Sequence, residues 1–341
     1  MGDNTANRIM LFDAYSQIFR AFYAIRYLSD PSGNPVNALF VFTKLLLELE
    51  RKYPSRYGAM LFDCGKVDFR LKLNPDYKAN RPPMPDDLKK QIPLIKEMAS
   101  AFGWPQYAVT NFEADDLIGG IVAASPGREI RIVTSDKDLS QLVTDDVKLV
   151  APAGAKQGGF EERGIDEVYA KFGVPPQLIS DYLALVGDSS DNIPGIPGIG
   201  PKSAAEMLQK CGGIEKYLAD KTLLAGSKFE KKLAGQDEFL KCNLQLVRLK
   251  TELPPELSDL PAALERTETD WAKIREICEK HGFKSIVKDL PEVDNVPAEE
   301  KENRAVDDDL FSGFFDCRCE EKSDETETFS AKESMEQGEL F

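Results

Sequence analysis

Histidine is almost missing from this chain: His281 is the single one in 341 residues. It stands in Lys280-His281-Gly282, which reads as the end of a helix. Imidazole acid/base chemistry and histidine-based zinc sites are thereby nearly excluded. Cysteine is sparse too. The six, Cys64, Cys211, Cys242, Cys278, Cys317 and Cys319, lack the paired CxxC spacing of a zinc module, and they do not form the framework of a disulfide-stapled fold. No apolar run approaches the ~18 residues of a membrane span. No basic-plus-apolar leader is visible, so a cytoplasmic protein is expected. Ala6 occupies the position where a myristoylation signal needs Ser or Thr.

A surplus of positive charge, the usual mark of a nucleic-acid binder, is also lacking: the net charge is −15. The deficit is uneven. Residues 292–341 hold 17 acids and five bases, which leaves a net of only −3 in residues 1–291. If a group of those acids coats metal ions, the remaining surface is basic, and an acidic protein can still present a basic groove. The segment from 292 onward has little periodicity and is expected to be disordered. The length otherwise allows a full core and about two domains.

What the chain does have is centred on Gly187-Asp188-Ser189-Ser190-Asp191-Asn192-Ile193-Pro194-Gly195-Ile196-Pro197-Gly198-Ile199-Gly200-Pro201-Lys202. Its first half sets Asp188 and Asp191 at the end of an apolar run. Its second half is a Gly/Pro hairpin opening onto a helix. Pro201 suits the first helical position, where its missing N–H costs nothing. The amides around Gly198 and Gly200, with Lys202, then make a phosphate cradle at a helix N-terminus. Candidate metal ligands therefore stand beside a candidate grip on a phosphate backbone.

Short apolar runs end in acids elsewhere. Residues 8–12 lead to Asp13 and residues 57–62 lead to Asp63. Residues 129–134 lead to Ser135-Asp136-Lys137-Asp138. Helical patterns follow at residues 15–23 and 37–52. Strands alternating with helices predict a parallel α/β sheet, whose ligands bind at the carboxyl ends of the strands. A further acidic set, Glu113, Asp115 and Asp116, opens a helix. So many carboxylates in one pocket would repel unless cations lay among them. An all-oxygen donor set suits Mg²⁺ or Mn²⁺. Two such ions can activate water and stabilise the leaving oxygen of an in-line displacement.

Between the second strand and the acidic helix, residues 68–85 are basic, aromatic and broken by prolines. Arg70, Lys78 and Arg81 are expected to meet phosphates and Tyr77 to stack on a base. Residues 203–250 are helical and Lys-rich, and further helices close the chain between Trp271 and Leu290. The chain ends Gln337-Gly338-Glu339-Leu340-Phe341, a candidate docking peptide.

Taken in order, Asp13, Asp63, Tyr77-Lys78-Ala79-Asn80-Arg81, Phe112-Glu113-Ala114-Asp115-Asp116, Ser135-Asp136-Lys137-Asp138 and Val186 to Gly195 closely resemble the 5′-nuclease domain of bacterial DNA polymerase I, within the flap endonuclease family. The resemblance covers about residues 8–290. It implies a PIN-like nuclease core over residues 1–175, with a helical gateway near 69–98, and a helix-hairpin-helix region over 176–291. It implies 5′→3′ exonuclease and flap endonuclease activity on DNA junctions and RNA primers. By position, Asp13, Asp63, Glu113, Asp115 and Asp116 would serve one metal ion, and Asp136, Asp138, Asp188 and Asp191 would complete the pair. Lys78 and Arg81 would steady the scissile phosphate, with Arg20 and Arg70 in similar roles. The carbonyls around Gly198-Ile199-Gly200 would take a potassium ion that bridges to duplex DNA. No polymerase domain follows, so a stand-alone, monomeric, nucleoid-associated nuclease is expected. Gln337, Leu340 and Phe341 resemble a sliding-clamp peptide of the Gln-Leu-x-Leu-Phe type, with Gly338 in the Leu position. The rival readings are a silent junction-binding scaffold and a PIN-type ribonuclease. The full carboxylate set argues against the first and the hairpin after Asp191 against the second.

Overall fold

The computed structural model describes residues 7–65, 67–153 and 159–292. Six strands form one sheet: β1 (Ile9–Asp13), β2 (Tyr57–Leu61), β3 (Gln106–Tyr107), β4 (Ile130–Val133), β5 (Val147–Pro152) and β6 (Phe160–Arg163). Their spatial order is β3-β2-β1-β4-β5-β6. All pairings are parallel except that of β6 with β5. The expected α/β class and mostly parallel sheet are what the chain adopts.

Period-two alternation explains why β1, with every residue buried, lies at the centre. Ile9 and Leu11 join Ala59, Leu61, Ile130 and Ile132 on one face. Met10 and Phe12 join Met60, Phe62 and Val133 on the other. A strand covered on both faces must be apolar at every position, so the acids can sit only at its end. Helices cover the two faces: α1 (Ala14–Ala24), α2 (Asn37–Lys52), α3 (Asp68–Leu73), α4 (Asp86–Ala101), α5 (Ala114–Ala123) and α6 (Ile165–Phe172).

The helical region follows. α7 (Ile179–Val186) leads into a two-residue strand pair, β7 (Gly187–Asp188) and β8 (Ile193–Pro194). Next come α8 (Pro201–Cys211), α9 (Ile214–Ala219), α10 (Glu230–Leu233), α11 (Asp237–Val247) and α12 (Leu260–Leu264). The exit from β8 depends on glycine: a Cβ on Gly195 would lie 2.1 Å from the Val186 carbonyl oxygen. That close approach fixes Asp188 and Asp191 against the end of α7.

α13 (Trp271–Lys280) and α14 (Lys284–Asp289) return to the sheet and its helices and pack with α2 and α4. The turn before them is locked by Arg266, which stacks 3.9 Å from the Trp104 ring centroid and pairs with Glu50. His281 caps α13, as its sequence context predicts, and its Nδ1 lies 3.1 Å from Asp30 Oδ2. Both side chains are buried, so the lone histidine joins two segments of the core. No helix among the described residues is long and apolar enough to cross a membrane.

Candidate metal centre at the carboxyl edge of the sheet

Asp13 is the last residue of β1 and the N-cap of α1. Its Oδ1 accepts from the Ser16 amide at 3.4 Å and its Oδ2 from the Thr134 hydroxyl, beyond the end of β4, at 2.8 Å. Asp63 follows β2, and its Oδ1 accepts from the Ala114 amide at 2.8 Å, a capping contact that fixes the start of α5. Asp136 and Asp138 follow β4; the Asp138 amide donates to Asp136 at 2.9 Å. Acids from three strand ends and one helix start thus meet at one edge. Asp13, Asp63, Asp115 and Asp136 line a single open cavity of about 670 Å³ with Ser16, Lys78, Asn80, Arg81, Ser135 and Ser190.

Two carboxylate triplets have ligand spacing. Glu113, Asp115 and Asp116 each offer an oxygen within 4.8 Å of the others, and so do Asp138, Asp188 and Asp191. Asp138 Oδ1 is buried without a hydrogen-bond partner. An orphaned buried carboxylate oxygen is costly unless a cation serves it. The donor set fits a hard, oxygen-loving divalent ion. The charges confirm the crowding. Burial, then the Asp136 and Asp63 carboxylates, push Asp13 up to about 7. Burial, then Asp116 and Glu113, hold Asp115 well above the usual carboxylate range. Burial, then Asp136 and Asp188, do the same to Asp138. Asp188 goes the other way: burial would raise it, but the Ser190 hydroxyl and the Lys137 ammonium hold it low.

Residues 74–81 cross this edge as a strap tied to the turn after β7. The Lys78 amide donates to the Asp191 carbonyl at 3.0 Å and the Asn80 side chain to the Ser189 carbonyl at 2.6 Å. Asn192 Nδ2 donates to the Asp76 carbonyl at 2.8 Å. Lys78 has a φ of 55°, a left-handed conformation that a lysine adopts at a cost and that surrounding contacts must impose. Its ammonium sits 2.9 Å from Glu113 Oε2 and 3.7 Å from Asp191 Oδ2, so it spans the two triplets. Burial disfavours that charge, yet Glu113 and Asp191 hold the ammonium above its ordinary range. Arg81 Nη2 lies 2.5 Å from Asp191 Oδ1, with the guanidinium still partly open to the cavity.

Two residues expected to touch substrate do not face it. Arg70 is 1% exposed. Its Nη1 and Nη2 donate to the two Asp116 oxygens at 2.7 and 2.8 Å, Nη1 also to Glu113 at 3.0 Å, and Nε to the Leu246 carbonyl at 3.2 Å. A guanidinium with its donors committed to buried acceptors cannot meet a phosphate. Tyr77 is 5% exposed, and its hydroxyl lies 3.0 Å from Glu113 Oε2 and 2.9 Å from Asp191 Oδ2. Its ring is in the core and cannot stack on a base. Asp116 is drawn back by Arg70 and also accepts from the Lys250 amide at 3.0 Å. Arg20 faces the edge, donating to Ser135 Oγ at 3.3 Å and the Pro152 carbonyl at 3.0 Å.

Thr134 and Lys137 belong to the site although their own residue types do not mark them. Lys137 Nζ lies 3.3 Å from Asp188 Oδ1. Its place between two aspartates in Ser135-Asp136-Lys137-Asp138 is the one signal in the sequence. At the hairpin, Gly200 is the N-cap of α8, Pro201 opens the helix as expected, and Lys202 is exposed. Gln337, Leu340 and Phe341, like Cys317 and Cys319, lie outside the described residues.

Residues 8–173 match the family model described as 5′-3′ exonuclease, N-terminal resolvase-like domain, and residues 174–270 match 5′-3′ exonuclease, C-terminal SAM fold. The 5′-3′ exonuclease of Aquifex aeolicus is 36% identical over 288 residues, which cover 84% of this chain and 96% of that one. The thermostable DNA polymerase I of Thermus thermophilus is 34% identical over 273 residues. That match covers 76% of this chain and 32% of the polymerase, so the chain spans about a third of the polymerase's length. In fold, the bacteriophage T5 D15 flap endonuclease, solved as a complex with DNA and metal ions, is similar with a TM-score of 0.57 at 22% identity, covering 81% of this chain and 99% of that one. The two matched families together account for most of the chain, and it belongs to the 5′-3′ exonucleases.

Proposed function

We propose that this chain is a divalent-metal-dependent 5′→3′ exonuclease and structure-specific 5′-flap endonuclease. It acts on flap and nicked DNA and on RNA-primed DNA in the cytoplasm, as a monomer, and leaves a 5′-phosphate. One observation carries the reading: acids from three strand ends, a helix start and the turn after α7 converge on one open edge. An oxygen-rich pocket of that kind fits two Mg²⁺ or Mn²⁺ ions, held by Asp13, Asp63, Glu113, Asp115 and Asp116 on one side and by Asp136, Asp138, Asp188 and Asp191 on the other. Arg70 orients that set through Asp116 and Glu113. Divalent ions bound there supply Lewis-acid activation of water and neutralise charge on the phosphate.

The protein's own cations do the rest. Lys78 and Arg81 approach the acids from the strap, so they meet a phosphate entering the cavity and stabilise the charge that develops on its oxygens. Arg20 steadies the adjoining backbone. Gly198, Gly200 and Lys202 hold duplex phosphates through the amide-lined start of α8. Gln337, Leu340 and Phe341 form a docking peptide for a sliding clamp, and deleting residues 337–341 weakens clamp retention while leaving nuclease activity intact.

The test is a pair of variants. Asp115→Ala or Asp188→Ala abolishes cleavage of a 5′-flap substrate in Mg²⁺ while flap binding survives. Cleavage by either variant at near wild-type rate contradicts the assignment.

A further inference from the structure

The family resemblance implies a potassium ion on the carbonyls around Gly198-Ile199-Gly200, and that ion is at odds with the side chains found there. The Gly198 carbonyl oxygen already accepts from the Lys232 ammonium. The contact is built into α10. Phe229, just before the helix, and Leu233 are both fully buried. With its neighbours anchored in the core, Lys232 is turned outward to the hairpin. Lys228, two residues before α10, pairs with Glu206 of α8 at 2.5 Å, which ties the segment leading into α10 to the helix that the hairpin opens. Gly198 has a φ of +76° and keeps the approach clear, since a Cβ there would lie 3.3 Å from Lys232 Nζ. A second cation on the same oxygen would stand within a few ångströms of the ammonium, where like charges repel even at a wet surface.

We infer that Lys232 takes the place of the monovalent ion, so that this chain grips duplex DNA at the hairpin without potassium. An ammonium has three donors. One is spent on Gly198, and the others are directed to a phosphate oxygen beside the amides of Lys202 and Ser203. The exposed hairpin carbonyl, which alone would repel a phosphate, becomes the support for a positive charge. The inference rests on the reading that duplex DNA is the substrate.

Binding of a fluorescent nicked 5′-flap duplex, followed by anisotropy with chelator present so that nothing is cut, tests it. The salts are potassium chloride and tetramethylammonium chloride at equal ionic strength. The wild-type affinity is expected to change less than three-fold between them, and Lys232→Met is expected to bind at least three-fold more weakly than wild type in tetramethylammonium. A three-fold or greater loss by the wild type on removing potassium overturns the inference. So does a Lys232→Met variant that binds within three-fold of wild type in tetramethylammonium. Absence of wild-type binding in both salts overturns the reading of the substrate itself.

Discussion

Arg70 and Asp116 form a two-pronged ion pair at 2.7 and 2.8 Å, with neither side chain open to solvent. The pair joins α3 to α5, and the same guanidinium reaches the Leu246 carbonyl at the end of α11. Three elements that frame the acidic edge therefore depend on one side chain. Burial opposes its charge, but Asp116, Asp115 and Glu113 hold the guanidinium well above its ordinary range.

Removing one partner of a buried pair leaves the other as an uncompensated charge, at a cost of about 3–5 kcal/mol. Arg70→Met is therefore expected to lower the free energy of unfolding by an amount of that order. An Arg70 that served only to hold substrate would leave stability unchanged, and a urea titration separates the two.

Tyr77→Phe isolates a different contact. The ring remains and only the hydroxyl shared by Glu113 and Asp191 is lost. Leaving such buried acceptors unserved costs about 1–3 kcal/mol. Both the melting temperature and the cleavage rate are expected to fall. A variant with wild-type stability and rate would return Tyr77 to a role on the DNA.

Asp13 contributes to the pH dependence of the metal-free protein, alongside Asp115 and Asp138, and its share can be isolated by substitution. Its folded pKa, about 7, lies above the ordinary carboxyl value of 3.8, so the folded state binds the extra proton. The stability this contributes is complete below about pH 4 and is lost as pH rises through 7. At 1.36 kcal/mol per unit the contribution is about 4 kcal/mol. Relative to wild type, Asp13→Asn is expected to gain stability steadily from pH 4 to 7.5 with chelator present, and most of that gain is expected to vanish in Mg²⁺. Parallel urea midpoints across that range are the measurement; a constant difference between the two proteins contradicts the assignment.

Asp13, Asp63 and Asp136 were legible in the sequence because each follows an apolar run, and a strand buried on both faces can place a carboxylate only at its end; Glu113, Asp115 and Asp116 were legible as acids opening a helix. The helices at 37–52 and after Glu113 were legible for the same reason, as regular apolar spacing. The fates of Arg70 and Tyr77 were not. A basic, aromatic, proline-broken stretch looks the same whether its side chains face phosphates or buried acids. What decides is long-range pairing: 46 residues separate Arg70 from Asp116, and 114 separate Tyr77 from Asp191. The edge strand β3 has only two residues, too few for any periodicity to register. The return of α13 and α14 to the core likewise depends on Arg266 meeting Glu50 and Trp104, more than 160 residues earlier.

The claim on which the account depends is that the converging carboxylates work through divalent ions. Cleavage of a 5′-flap duplex, labelled on the flap, with Mg²⁺ and with excess chelator tests it most directly. Cutting near the junction is expected in Mg²⁺, with complete loss in chelator and return when Mg²⁺ or Mn²⁺ is restored. Cutting that persists unchanged in chelator, or intact flap DNA at every Mg²⁺ and Mn²⁺ concentration, would contradict it.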